Sequence, residues 1–67
     1  MENYPLVSIG MPVFNGEKGL ANAIVSILKQ DFPNLEIIIS DNASTDATTE
    51  ICRDYTAKDP RVKYYRS

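Results

Sequence analysis

With 67 residues, one cysteine and no histidine, this chain is too short for more than one small domain, and it lacks the residues for an internal disulfide or a Cys/His zinc site. Seven Lys and Arg against nine Asp and Glu give a formal charge of −2, which leaves no basic footprint for nucleic acid and no like-charged tail. A hydrophobic content of 43% argues against disorder, and no apolar run suits a signal peptide or a membrane span, so a cytoplasmic location is expected, with any membrane association left to parts of a longer protein.

In chain order, Leu6 to Val13 (LVSIGMPV) is short, apolar and β-branched, and predicts a buried strand, apolar on both faces. Asn15-Gly16 is a turn signal. From Glu17 to Gln30 the residues Leu20, Ile24, Ile27 and Leu28 share one helical face, with Gly19 weakening the first turn. Phe32-Pro33 ends that helix, because a residue before proline resists the helical region. Leu35 to Ser40 (LEIIIS) predicts a second strand, whose three isoleucines suit burial on both sheet faces. Asp41 to Thr45 reads as a polar turn of helix-capping types. A second helix is expected from Asp46 or Ala47 to Ala57, with Ala47, Ile51 and Tyr55 on one face, and Asp59-Pro60 breaks it. Val62 to Arg66 predicts a third strand of mixed exposure.

The alternation β-α-β-α-β argues for an α/β fold: a parallel three-stranded sheet of order 3-2-1, half of a doubly wound domain, covering residues 1–67 as one incomplete unit. Nothing in the chain pairs with the far side of the first strand. An exposed apolar edge associates readily, so pairing between chains through Leu6 to Val13 is expected, giving a homo-oligomer.

Ligands of open α/β sheets bind beyond the carboxyl ends of the strands. Two polar clusters fall there: Pro12-Val13-Phe14-Asn15-Gly16-Glu17 and Ser40-Asp41-Asn42-Ala43-Ser44-Thr45-Asp46. Strand spacing of about 4.8 Å brings them toward one pocket. There the Phe14 ring has the shape to stack on a base, Asp41 accepts hydrogen bonds, and Asn42 both accepts and donates. Each has a plainer reading as well. On pattern alone Phe14 reads first as a core aromatic, Asp41 and Asn42 serve as turn formers, Ser44, Thr45 and Asp46 as helix caps, Glu17 as a first-turn acid, and Cys52 as a small core residue. The arginines read as solvated surface. Gly10, Gly16 and Gly19 match neither the dinucleotide-binding nor the P-loop spacing, and no D-x-D occurs, so no metal site is expected from this chain alone.

Four blocks carry a resemblance that spans nearly the whole chain. Val7 to Glu17 (VSIGMPVFNGE), Ser26 to Phe32 (SILKQDF), Glu36 to Asp46 (EIIISDNASTD) and Asp59 to Tyr65 (DPRVKYY) resemble, in order and spacing, the start of a glycosyltransferase family 2 domain, the inverting, Rossmann-like GT-A fold. The resemblance implies transfer of a sugar with inversion from a nucleotide-sugar donor, a UDP-sugar being favoured. Pro12, Val13 and Phe14 would line the base pocket, Asp41 and Asn42 match the acidic pair at the end of strand two, and Glu17 matches an acidic position near the donor. The chain departs from the family's D-D-G-S-T-D pattern at Asn42 and Ala43, which bears on the identity of the base. The family's metal-binding D-x-D and its catalytic base lie further along its chain. No catalytic residue is therefore carried over, and a divalent cation, Mn or Mg, is expected only for a full-length enzyme, with ligands outside these residues. The 67-residue chain by itself is expected to be inactive. The alternative is a non-catalytic nucleotide-binding or self-associating α/β module.

Overall fold

A computed structural model describes residues 4–67. Three strands and two helices alternate: β1 (Val7–Val13), α1 (Leu20–Leu28), β2 (Leu35–Asp41), α2 (Thr48–Lys58) and β3 (Val62–Arg66). The strands form one parallel sheet with β2 in the centre, so the expected 3-2-1 order is the observed one. Val7 lies beside Leu35 and Val13 beside Asp41, and Asp41 in turn lies beside Arg66, so the carboxyl ends of all three strands are level.

The core lies on one face of the sheet. Ile37 and Ile39 are fully buried there with Leu20 and Ile24 of α1, Cys52 of α2 and Val62 of β3. Both helices therefore cover the same face, as two successive crossovers of one hand require. Fully burying each isoleucine contributes roughly 1.5–3 kcal/mol. The opposite face has no cover among the described residues. Ser8, Gly10 and Pro12 are exposed, and Ile38 is only half-buried between the sealed Ile37 and Ile39. The expectation of strands buried on both faces thus holds for one face. β1 alternates between half-buried Val7, Ile9, Met11 and Val13 and exposed residues between them.

The helices are shorter or shifted relative to the sequence expectation. α1 starts at Leu20 rather than Glu17: residues 17–19 form a turn in which the Gly16 carbonyl accepts from the Gly19 and Leu20 N–H groups at 3.2 and 3.0 Å, and the Glu17 N–H donates across to Asp46. α2 starts at Thr48 and ends at Lys58. Its sealed positions are Thr48 and Cys52, while Ile51 and Tyr55 are half-buried beside them. A buried threonine is tolerated there because its hydroxyl is used, as the loops beyond the strands show.

Candidate functional site

The chain leaves β1 and β2 through loops that are stitched together by hydrogen bonds. Asn15 N–H donates to Ser44 Oγ at 2.9 Å, and Gly16 N–H donates to Thr48 Oγ1 at 2.9 Å. Glu17 N–H reaches Asp46 Oδ2 at 3.2 Å, and Thr45 N–H returns to Asn15 Oδ1 at 2.8 Å. Two residues take the left-handed backbone needed for this path, Asn15 with φ 48° and Ala43 with φ 53°. Asparagine tolerates that region and alanine does so at a cost, which gives a physical reason for glycine at the Ala43 position in the D-D-G-S-T-D pattern.

Asp41 is the centre of this arrangement. It is 1% exposed. Its Oδ1 accepts from Ser44 N–H at 3.0 Å and from Ser44 Oγ at 2.5 Å, and its Oδ2 accepts from Thr49 Oγ1 at 3.2 Å and from the Tyr64 hydroxyl. Arg66 brings its Nε to 3.9 Å and anchors Nη2 on the Ser44 carbonyl at 2.7 Å. Burial alone raises the carboxyl, but the bonds from Ser44, Tyr64 and Thr49 outweigh it and hold the group at about 2, below its ordinary 3.8. The same carboxylate acts on its neighbours. Burial and then the Asp41 charge push the Cys52 thiol up to about 11, and burial with the bond to Asp41 raises the Tyr64 phenol. Asp46 is likewise raised by burial yet lowered overall by its bonds from Thr48 and Glu17.

The six candidate residues separate into two groups. Pro12, Val13 and Phe14 line one open groove of about 320 Å³, with Met11, Gly16, Gly19, Leu20 and Ala23, between β1 and the start of α1. Phe14 is 62% exposed and is not a core aromatic. Asp41, Asn42 and Glu17 stand outside that groove. Asp41 turns inward, whereas Asn42 and Glu17 are exposed and held through their backbones, the Asn42 N–H donating to Val13 O at 2.9 Å and the Glu17 N–H to Asp46. The staple residues Asn15, Ser44 and Thr48, and the pair Tyr64 and Arg66, were not singled out by the sequence as site residues. The local capping bonds of Ser44 and Asp46, to Asp41 and from Thr48, were legible, but the bonds they accept from Asn15 and Glu17 span 29 positions, beyond any local pattern. Among the described residues no cluster of acids, cysteines or histidines is suited to a metal ion, and no helix is long and apolar enough to cross a membrane.

A three-stranded parallel sheet with both helices on one face and ordered polar loops at its carboxyl end defines a Rossmann-like α/β fold. Sequence and structure comparisons extend this. The profile of glycosyl transferase family 2 matches residues 8–67. An uncharacterized glycosyltransferase of Haemophilus influenzae is 46% identical over 63 residues, which is 94% of this chain and 25% of that protein. The GalNAc(5)-diNAcBac-PP-undecaprenol beta-1,3-glucosyltransferase of Campylobacter jejuni is 43% identical over 61 residues, 91% of this chain and 20% of its own length. A mannosyltransferase of Pyrobaculum calidifontis, solved with GDP-Man and Mn2+, superposes with a TM-score of 0.79 at 27% identity, over 97% of this chain and 19% of its own. The chain belongs to glycosyltransferase family 2, an enzyme family of GT-A fold, and spans a quarter or less of the length of these relatives.

Proposed function

We propose that this chain forms the donor-nucleotide part of a glycosyltransferase that moves a sugar, with inversion, from a nucleotide sugar to an acceptor the site does not identify. The observation that carries the reading is the stitched pair of loops at the carboxyl ends of β1 and β2, in a chain whose family transfers sugars. Pro12, Val13 and the exposed Phe14 ring form an apolar wall on which a base stacks. Asn42, with its side chain exposed at the tip of β2, reads the edge of the base, and Glu17 lies near the donor. Asp41 acts from beneath, holding the turn that presents Asn42.

A UDP-sugar is the favoured donor. That preference rests on the family resemblance; the amide of Asn42 is compatible with it, since it accepts from the N3–H of uracil and donates to its O4. The Pyrobaculum relative was solved with GDP-Man. Its Mn2+ supports a divalent cation, Mn or Mg, for the complete enzyme. The residues here do not form such a site, since both Asp41 oxygens are engaged within the protein. The chain alone is therefore inactive in sugar transfer. Cytoplasmic location and self-association through the β1 edge complete the reading.

The test is an amide and side-chain NMR titration with UDP, GDP and ATP. Shifts confined to Phe14, Asn42 and neighbouring loop residues, larger for UDP than for the others, are expected at millimolar affinity, because half a pocket leaves much of the ligand in water. Uniform or absent shifts with all three nucleotides overturn the proposal.

A further inference from the structure

Ser44 uses every polar group it has, and its partners come from the carboxyl ends of three strands. It is 3% exposed. Its N–H donates to Asp41 Oδ1 at 3.0 Å, and its Oγ donates to the same oxygen at 2.5 Å. Its carbonyl accepts from Arg66 Nη2 at 2.7 Å, and its Oγ accepts from the Asn15 N–H at 2.9 Å. Asp41 ends β2, Arg66 ends β3, and Asn15 follows closely on β1.

The direction of these bonds is fixed by their chemistry. An ionised carboxylate only accepts, so the single hydroxyl hydrogen of Ser44 points to Asp41 and the lone pairs face Asn15. A bond to a charged acceptor is stronger than a neutral one, and it polarises the hydroxyl into a better acceptor for the next donor. The chain of bonds runs from the Asn15 N–H through the Ser44 hydroxyl to the Asp41 carboxylate. The backbone beside it is strained, with Asn15 at φ 48° and Ala43 at φ 53°. Left-handed residues other than glycine persist where surrounding contacts hold them, and they gather at ligand clamps. Here one of the two is bonded to Ser44 and the other directly precedes it.

We propose that Ser44 is a positioning residue of the donor site, setting the Phe14 ring and the Asn42 amide in place before the nucleotide arrives. This rests on the reading of Phe14 and Asn42 as donor contacts. Phe14 and Asn15 share one planar peptide group, so the bond from the Asn15 N–H to Ser44 fixes the backbone plane that follows Phe14. The Phe14 ring is largely exposed, so its direction follows from that backbone rather than from packing. On the β2 side, the bond from the Ser44 N–H to Asp41 closes a turn over Asn42 and Ala43, while the Asn42 N–H is held by Val13 O at 2.9 Å. Both contacts are set from one buried residue that itself touches no ligand. A site ordered in advance does not bear the cost of ordering when the ligand binds.

The chain has two phenylalanines, Phe14 and Phe32, so labelling with 4-fluorophenylalanine gives a two-signal fluorine spectrum. Phe32 precedes β2, at the other end of the sheet from Phe14, and serves as an internal reference. The probe is the nucleotide that shifts Phe14 in the wild-type chain, UDP being expected. Ser44→Ala is expected to shift and broaden the Phe14 signal, leave Phe32 unmoved and weaken nucleotide binding by about tenfold, the loss that follows when the competent arrangement is populated about a tenth of the time. Ile24→Val loosens the core without touching the loops, and is expected to leave the Phe14 signal and the affinity as in the wild-type chain, which separates positioning from lost stability. An ester in place of the Phe14–Asn15 amide removes the N–H that Ser44 accepts while leaving Ser44 bound to Asp41. It is expected to reproduce the Ser44→Ala effect, and it decides the matter if Ser44→Ala does not fold. A folded Ser44→Ala or ester chain that binds nucleotide as tightly as the wild type with Phe14 unmoved overturns the proposal, as does an equal loss of affinity in Ile24→Val. A wild-type Phe14 signal that ignores UDP, GDP and ATP alike overturns the donor reading and this inference with it, whereas failure in the variants alone leaves the donor reading standing.

Discussion

Asp41 shows how one side chain changes meaning between sequence and structure. As part of a D-N-A-S-T-D run it reads as a ligand contact or a turn former. In the folded chain it is a buried acceptor of four hydrogen bonds, and its neighbour Asn42 is the one that faces outward. The charge is stabilised by its donors, and the consequence for pH follows from the sign of the shift. The folded group titrates at about 2 and the unfolded one near 3.8. The stabilisation is complete above about pH 4 and is lost as the pH falls toward 2. Acid titration followed by circular dichroism should therefore show destabilisation confined to that window. Asp41→Asn should flatten it and lower stability at neutral pH by roughly 1–3 kcal/mol, because an amide leaves some of the buried donors unmet. Cys52, by contrast, is inert at neutral pH: it is sealed, and its thiol is held near 11.

At the level of elements, the two loops behave as one unit. Each supplies acceptors for the other's backbone N–H groups, so neither holds its shape alone. Thr48 is the clearest case, fully buried with its hydroxyl accepting from Gly16 N–H at 2.9 Å. Thr48→Val keeps the volume and removes the acceptor. It should cost about 1–3 kcal/mol, the penalty for a polar group left unpaired. Hydrogen exchange gives the site-specific readout, with the Gly16 amide losing protection well before amides at the centre of β2. Equal loss of protection throughout the chain would show that the loops do not form a separable unit. The donor contacts proposed for Phe14 and Asn42 rest on the same unit, since both residues flank it.

For the whole molecule the limiting quantity is core size. Among the described residues, six buried side chains on one sheet face, Leu20, Ile24, Ile37, Ile39, Cys52 and Val62, form the core cluster, and nothing covers the second face. A chain this short buries only about 60% of its unfolded surface, so its margin is small. Ile37→Ala removes a fully buried side chain from the central strand and should cost about 2–5 kcal/mol. That is comparable with the total stability of a small domain, so thermal melting should show a lost or barely cooperative transition.

The sequence by itself determined the element order, the parallel sheet with β2 at its centre and the family, because periodicity and turn residues act within a few positions of one another. Leu20, Ile24, Ile27 and Leu28 mark α1 however the rest folds, and the three isoleucines mark β2. What only the tertiary structure decided is how the ends of the elements meet. Which isoleucines are sealed depends on both helices lying on one face. The turn that precedes α1 is tied to the far loop by a bond no local pattern shows, from the Glu17 N–H to Asp46, twenty-nine residues on. Asp41 and Asn42 are alike in a turn-forming run, and only the positions of Ser44, Thr49 and Tyr64 in space turn the first inward and leave the second free.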